Sequence, residues 1–234
     1  RYAVTRTIFS VKKMDQVADN FPGSIGFYVE DITSGVSHEH NPDRRYPTAS
    51  VCKVPVMIEL FRHAEEGHLS LAGRRRLGKS ISHHGTGVLE MLKDEPELTL
   101  HDYARLMISV SDNMATDMVM EAVGLKNVNA TMERLGYPNI RTNMTMSVWH
   151  YTIAGLLHLE QTPENNEYVH QRLLAGRIDY EGLAYADSLN NNVATVREIA
   201  DSMVKLHVGQ MVSPAASAAM MELLKRCTDR SMIP

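Results

Sequence analysis

Long apolar runs are missing from this chain of 234 residues, and so is any excess of positive charge. No stretch approaches the roughly 20 apolar residues that a helical membrane span requires. Lysine and arginine number 24 against 28 aspartate and glutamate, a net charge of −4. A nucleic-acid or anionic-membrane partner leaves a basic footprint, and this balance excludes one. Cysteine is scarce: Cys52 and Cys227 can make one disulfide, not a framework, and two buried thiols are the simpler expectation. Eleven histidines contain no H-E-x-x-H, and the cysteines do not pair with them at zinc spacing, so no metal site is expected. Repeats, low-complexity segments and Pro/Gly/Ser linkers are absent as well. The chain opens Arg1-Tyr2-Ala3-Val4-Thr5-Arg6 without an apolar core segment, so no signal peptide is expected in it.

What is there is ordinary for a globular protein, with 44% hydrophobic and 22% charged residues, enough for one or two domains. Fifteen methionines spread along helical periods read as adaptable core filler. Residues 5–20 form a weakly amphipathic first helix. Ile25, Phe27 and Val29 alternate with polar or small neighbours and predict a strand. Asp31–Gly35 reads as a turn and Val36–His40 as its partner strand. Asn41 to Tyr46 reads as polar loop. Helices follow over 54–66, from a capping box at Thr99-x-x-Asp102, over 114–123 and over 126–135. Two short ones broken at Thr162-Pro163 fill 151–176. Thr195-x-x-Glu198 caps another, and Ser213-Pro214 opens the last. A lone two-stranded hairpin is marginal in water, so the sheet is expected to gain strands elsewhere.

Chemistry concentrates at Ala49-Ser50-Val51-Cys52-Lys53. On a helix, Ser50 and Lys53 share a face about one turn apart. A serine hydroxyl needs a base beside it, and a lysine becomes one when burial lowers its pKa. Val54, Val56, Met57 and Ile58 supply apolar surroundings. Cys52 as the nucleophile ranks behind, because it points to another face. Alone, the pattern reads more readily as a capping serine before a helix with a surface lysine. Gly73-Arg74-Arg75-Arg76-Leu77-Gly78-Lys79-Ser80 fits a phosphate-binding loop, yet a helix end precedes it and no helix follows. It is taken as a chance match, with Arg74–Arg76 and His83-His84 in solvated loops. Ser111-Asp112-Asn113, between two amphipathic helices, reads alone as helix capping.

Together, Ser50-Val51-Cys52-Lys53 and Ser111-Asp112-Asn113 resemble the class A serine β-lactamases and the penicillin-recognising enzymes around them. The likeness extends through Ser24–Val29, Tyr46–Ser50, Gly85–Leu89, Leu98–Thr116, Leu135-Gly136 and Ala194–Ala200. It implies that Ser50 attacks a lactam or acyl carbonyl and Lys53 takes or relays its proton. Ser111 passes a proton toward the leaving nitrogen, Asn113 binds the substrate side chain, and the Ser50 N–H is half of an oxyanion hole. Whether the acylating base is the lysine or a glutamate acting through water is open in that family.

Two departures accompany the resemblance. Aligned from Leu135-Gly136, the glutamate position holds Met146 and the asparagine one turn on is His150. Asp179, Glu181 and Asp187 are alternative carboxylates. A Lys-Thr-Gly-type triplet on a later strand is also missing, so the chain is expected to be incomplete at its C-terminal side.

The expected fold is α/β and two-lobed: an all-helical lobe over 54–203 and a mixed lobe of 1–53 and 204–234, with an antiparallel sheet flanked by helices. Ser50 lies at the seam. The expected function is a class A β-lactamase-like serine hydrolase working through a Ser50 acyl-enzyme. The alternative is a penicillin-binding-type peptidase, esterase or sensor that acylates but deacylates slowly. No cofactor, a small-molecule substrate and a monomer are expected. The resemblance implies a periplasmic or secreted location.

Overall fold

The computed structural model describes residues 9–78 and 85–228. The expected start of the first helix at residues 5–8, Lys79 and Ser80 of the phosphate-loop pattern, and His83-His84 lie outside the described residues.

The apolar segment after Ser50 becomes the central helix. α2 (Lys53–Glu65) buries Val56, Met57, Ile58, Leu60 and Phe61, together with the charged Lys53 and Glu59. It touches α3 (Leu100–Ser109), α4 (Asn113–Val123), α5 (Leu125–Arg134) and α9 (Pro214–Leu224), so nearly every side of it is covered. Among the described residues ten of fourteen methionines are buried, which agrees with their reading as filler.

Helix boundaries follow the chemistry of their caps. Thr99, Thr195 and Ser213 accept from the backbone N–H groups of Asp102, Glu198 and Ala216, opening α3, α8 (Val196–His207) and α9. Thr162 caps α7 (Pro163–Leu174), with proline in the first turn. The helix before that break starts earlier than periodicity indicated. α6 is Met146–Ile153, because Thr145 caps it through the Val148 N–H. α1 is Val11–Asp19, within the expected segment.

β1 (Phe27–Asp31) and β2 (Val36–His40) pair antiparallel, Phe27 opposite His40 and Asp31 opposite Val36. The Asp31 side chain holds the turn by accepting from the Thr33 N–H and the Ser34 hydroxyl. Arg197 on α8 ties down the hairpin through Glu39 and Asp43.

Two strand pairs correct the loop assignments. β3 (Arg45–Pro47) pairs antiparallel with β6 (Val193–Thr195), so the end of the presumed polar loop is a strand. β4 (Arg74–Arg76) pairs with β5 (Glu97–Thr99); the arginines are exposed as expected, but in a strand. Each strand is three residues long, too short for period-2 alternation to register. The resulting architecture is mixed helix and sheet, with α2 at the centre and the β3–β6 pair leading into Ser50.

Candidate active site

β3 delivers the chain to Ser50. Its last residue pairs with Val193, and the Thr48 N–H donates to the Asn192 carbonyl at 2.9 Å. The backbone then makes a 3-10 turn over Ala49–Cys52 before α2 starts. Three residues per turn place Ser50 directly above Lys53, whose N–H reaches the Ser50 carbonyl. Ser50 therefore sits in a 3-10 turn leading into α2, and shares a face with Lys53 as the spacing predicted. Ala49 takes φ 44°, a left-handed conformation costing a non-glycine residue on the order of 1–3 kcal/mol, immediately before the serine.

Lys53 is buried at 3% exposure while Ser50 is exposed. Its Nζ donates to the Ser111 carbonyl at 2.7 Å, to Ser111 Oγ at 2.8 Å and to Asn113 Oδ1 at 2.8 Å. Those acceptors match the three N–H bonds of an ammonium. Burial still pushes the amine down to about 8, although Asp112 and Asp117 pull the other way. Ser111 completes the chain, its Oγ lying 3.1 Å from Ser50 Oγ. Lys53 thus reaches the exposed serine by way of Ser111. Ser111 has φ 56°, and this left-handed backbone turns its carbonyl and hydroxyl toward the same amine.

Asp112 anchors the triplet. It is wholly buried, and its carboxylate accepts from the N–H groups of Ala115, Val88 and Leu89 at 2.8, 2.6 and 2.9 Å. The first caps α4; the others bind the segment Gly85–Leu89 to it. Thr86 strengthens that junction, its hydroxyl donating to the Ser111 carbonyl and its own carbonyl accepting from the Asn113 N–H. At Gly87 a Cβ would lie 2.5 Å from the Asp112 carboxylate, so only glycine permits this approach.

The four residues singled out from sequence, Ser50, Lys53, Ser111 and Asn113, thus form one hydrogen-bonded chain. The carboxylates proposed to join them do not. Asp187 pairs with Arg45, Asp179 packs against Gly155 and Gly182 past the end of α6, and Glu181 is exposed. Among the described residues no carboxylate hydrogen-bonds Ser50, Lys53 or Ser111. Met146 is buried, with its sulfur 3.9 Å from Cys52 Sγ. Burial pushes the Cys52 thiol up to about 12, which removes it as a nucleophile, and it forms no disulfide with Cys227.

Sequence reasoning missed Asp117. Its buried carboxylate accepts from the Met146 N–H at 2.6 Å and from the Ser147 N–H and hydroxyl at 2.9 and 2.6 Å, tying α6 to α4. The available signal was an aspartate four residues after Asn113 on an otherwise apolar helix. Among the described residues no group of His, Cys, Asp and Glu is placed to hold a metal ion, and no helix is long and apolar enough to cross a membrane.

The chain as a whole is similar in fold to several solved structures. A β-lactamase from Sphaerobacter thermophilus DSM 20745 is 28% identical, with 94% of this chain and 70% of that one superposed at a TM-score of 0.71. PBP-A is 21% identical over 94% of this chain and 69% of its own, at 0.71. A β-lactamase from Chitinophaga pinensis DSM 2588 is 19% identical over 95% and 73%, at 0.72. No curated protein matches the chain. The model of the β-lactamase enzyme family matches residues 10–234, and the chain belongs to that family.

Proposed function

We propose that this protein opens β-lactam or related acyl substrates through a covalent ester on Ser50. The observation that carries the reading is the chain from Ser50 through Ser111 to Lys53 and Asn113. An exposed hydroxyl is linked through a second hydroxyl to a buried amine whose proton is loosely held. Once Lys53 is neutral, turning the two hydroxyls aims Ser50 O–H at Ser111 and Ser111 O–H at Nζ. The Ser50 proton moves along that path as Oγ attacks the carbonyl. It returns through Ser111 to the leaving nitrogen as the amide bond breaks. With Met146 at the position where the resemblance puts a glutamate, Lys53 is the acylating base. The Ser50 N–H, at the start of the turn into α2, supplies one oxyanion donor, typically worth a few kcal/mol in the transition state. Asn113 takes the substrate-binding role that the resemblance implies, while its oxygen holds Lys53.

The buried Met146 favours a second reading of turnover. A thioether cannot activate water as a carboxylate does. The protein then behaves as a penicillin-binding enzyme whose ester forms readily and is released slowly. A location outside the cytoplasm fits either reading. Labelling with a fluorescent penicillin, alongside hydrolysis of a chromogenic cephalosporin, separates the two. Hydrolysis without lasting label indicates a lactamase; lasting label with little hydrolysis indicates slow release. Neither signal, or signals unchanged in Ser50→Ala, overturns the acyl-enzyme reading.

A further inference from the structure

A cavity of about 670 Å³ opens between the chain at Leu77, the loop Leu89–Glu95 and α7. That is room for a small organic ligand. None of Ser50, Lys53, Ser111 and Asn113 lines it. Its apolar wall is Leu77, Leu89 and Met114, at 4%, 2% and 5% exposure. Asn166 lines the cavity from α7 and is itself only 7% exposed. Its Oδ1 accepts from the Tyr151 hydroxyl at 2.6 Å. Its amide nitrogen makes no hydrogen bond among the described residues, and has two N–H groups to offer. A donor held at that depth calls for an acceptor. Glu167, the next residue, lines the cavity too. Its Oε1 accepts from the Gln171 amide at 2.7 Å, and its Oε2 makes no bond among the described residues. Glu90 and Asp94 add exposed carboxylates from the loop, with Lys93 between them and the wall of α7 opposite.

We propose that this cavity binds the amino-terminal residue of a peptide, one with an apolar side chain. Such a residue carries a protonated amine, an apolar group and a carbonyl oxygen within a few bonds of one another. The ammonium goes to Glu167, with Glu90 and Asp94 at the mouth. The carbonyl accepts from the Asn166 amide. The side chain covers Leu77, Leu89 and Met114 and takes apolar surface on both partners out of water. The donor and the carboxylate stand on consecutive residues of α7, much as ammonium and carbonyl share one Cα in the ligand. A free amino acid would bring a second carboxylate toward Glu90, Asp94 and Glu167, so the peptide or amide form is the one that fits. No covalent bond forms or breaks. The site does not depend on the acyl-enzyme reading, and either can fail without the other.

The test titrates L-phenylalaninamide into the whole chain by calorimetry at about pH 6.5, where its amine is charged. N-acetyl-L-phenylalaninamide, which lacks the charge, and L-phenylalanine, which adds a carboxylate, should each bind about tenfold more weakly or worse. 2-Phenylethylamine, which lacks the carbonyl, should bind about fivefold more weakly. The combined variant Glu90→Gln, Asp94→Asn, Glu167→Gln should lose about tenfold in affinity for the amide. The control Asp19→Asn, Glu65→Gln, Glu121→Gln removes as much charge from exposed residues that do not line the cavity, and should stay within about twofold of wild type. No binding up to about 10 mM amide overturns the proposal. So does equal affinity for the acetylated amide, or an equal loss in the two variants. If the cavity variant does not fold, the ligand series on wild type decides alone.

Discussion

Lys53 carries two linked pH dependences, each with a sign fixed by its burial. An unfolded lysine holds its proton to about pH 10.4. In the folded protein burial lowers that to about 8. The depression corresponds to about 3 kcal/mol of stability withheld while the amine stays charged. Between about pH 8 and 10.4 unfolding takes up a proton, so stability rises with pH through that window. The cost is fully present below about 8 and gone above about 10.4. Comparing wild type with Lys53→Met in urea melts removes the contributions of other groups. The wild type should gain on the variant by about 2–3 kcal/mol between pH 7 and 10.5. The same depression governs acylation. At pH 7 about one lysine in ten is neutral, and at pH 6 about one in a hundred. The second-order rate of adduct formation should therefore rise about tenfold from pH 6 to 7, about fivefold from 7 to 8, and little beyond. Lys53→Met should acylate about 100-fold to 10,000-fold more slowly. A flat rate between pH 6 and 8, or a stability difference that does not move with pH, refutes Lys53 as the base.

Three further outcomes follow from the packing around the site. Ser111→Gly removes the relaying hydroxyl yet keeps the left-handed backbone, so adduct formation should drop about 100-fold or more while thermal stability holds or rises by about 1 kcal/mol. Asp112→Ala leaves three backbone N–H groups without their acceptor and should lower stability by about 3 kcal/mol in chemical denaturation, with unchanged stability as the contrary result. Gly85→Ala forces a Cβ against Asn113, whose oxygen holds Lys53; it should impair capture of a penicillin, and normal kinetics would show that Gly85 does not touch the working geometry.

Sequence read the helices well because their signals are local. Thr99, Thr195, Ser213 and the Thr162-Pro163 break each announce a cap within four residues, and each cap is made. That Ser50 and Lys53 share a face was legible from spacing alone, since three residues apart means one face in either helix type, but their pairing as a site needed the resemblance. Ser111 and Asn113 needed the resemblance, because a loop triplet 58 and 60 residues from Lys53 carries no local sign of meeting it. The β3–β6 and β4–β5 pairs were missed because three-residue strands are defined by distant partners. The N-terminal turn of α6 was missed although Thr145 caps it locally; the rest of that cap comes from the Asp117 carboxylate on another helix. His150 was placed by alignment, but its burial and its approach to Gly85 are products of packing.

The central claim is that Ser50 becomes acylated, and peptide mapping of the intact protein after brief exposure to a penicillin tests it most directly. The account predicts a mass increase equal to the whole drug, confined to the peptide that contains Ser50 and abolished in Ser50→Ala. A modification on another residue, or one that survives in Ser50→Ala, would contradict it.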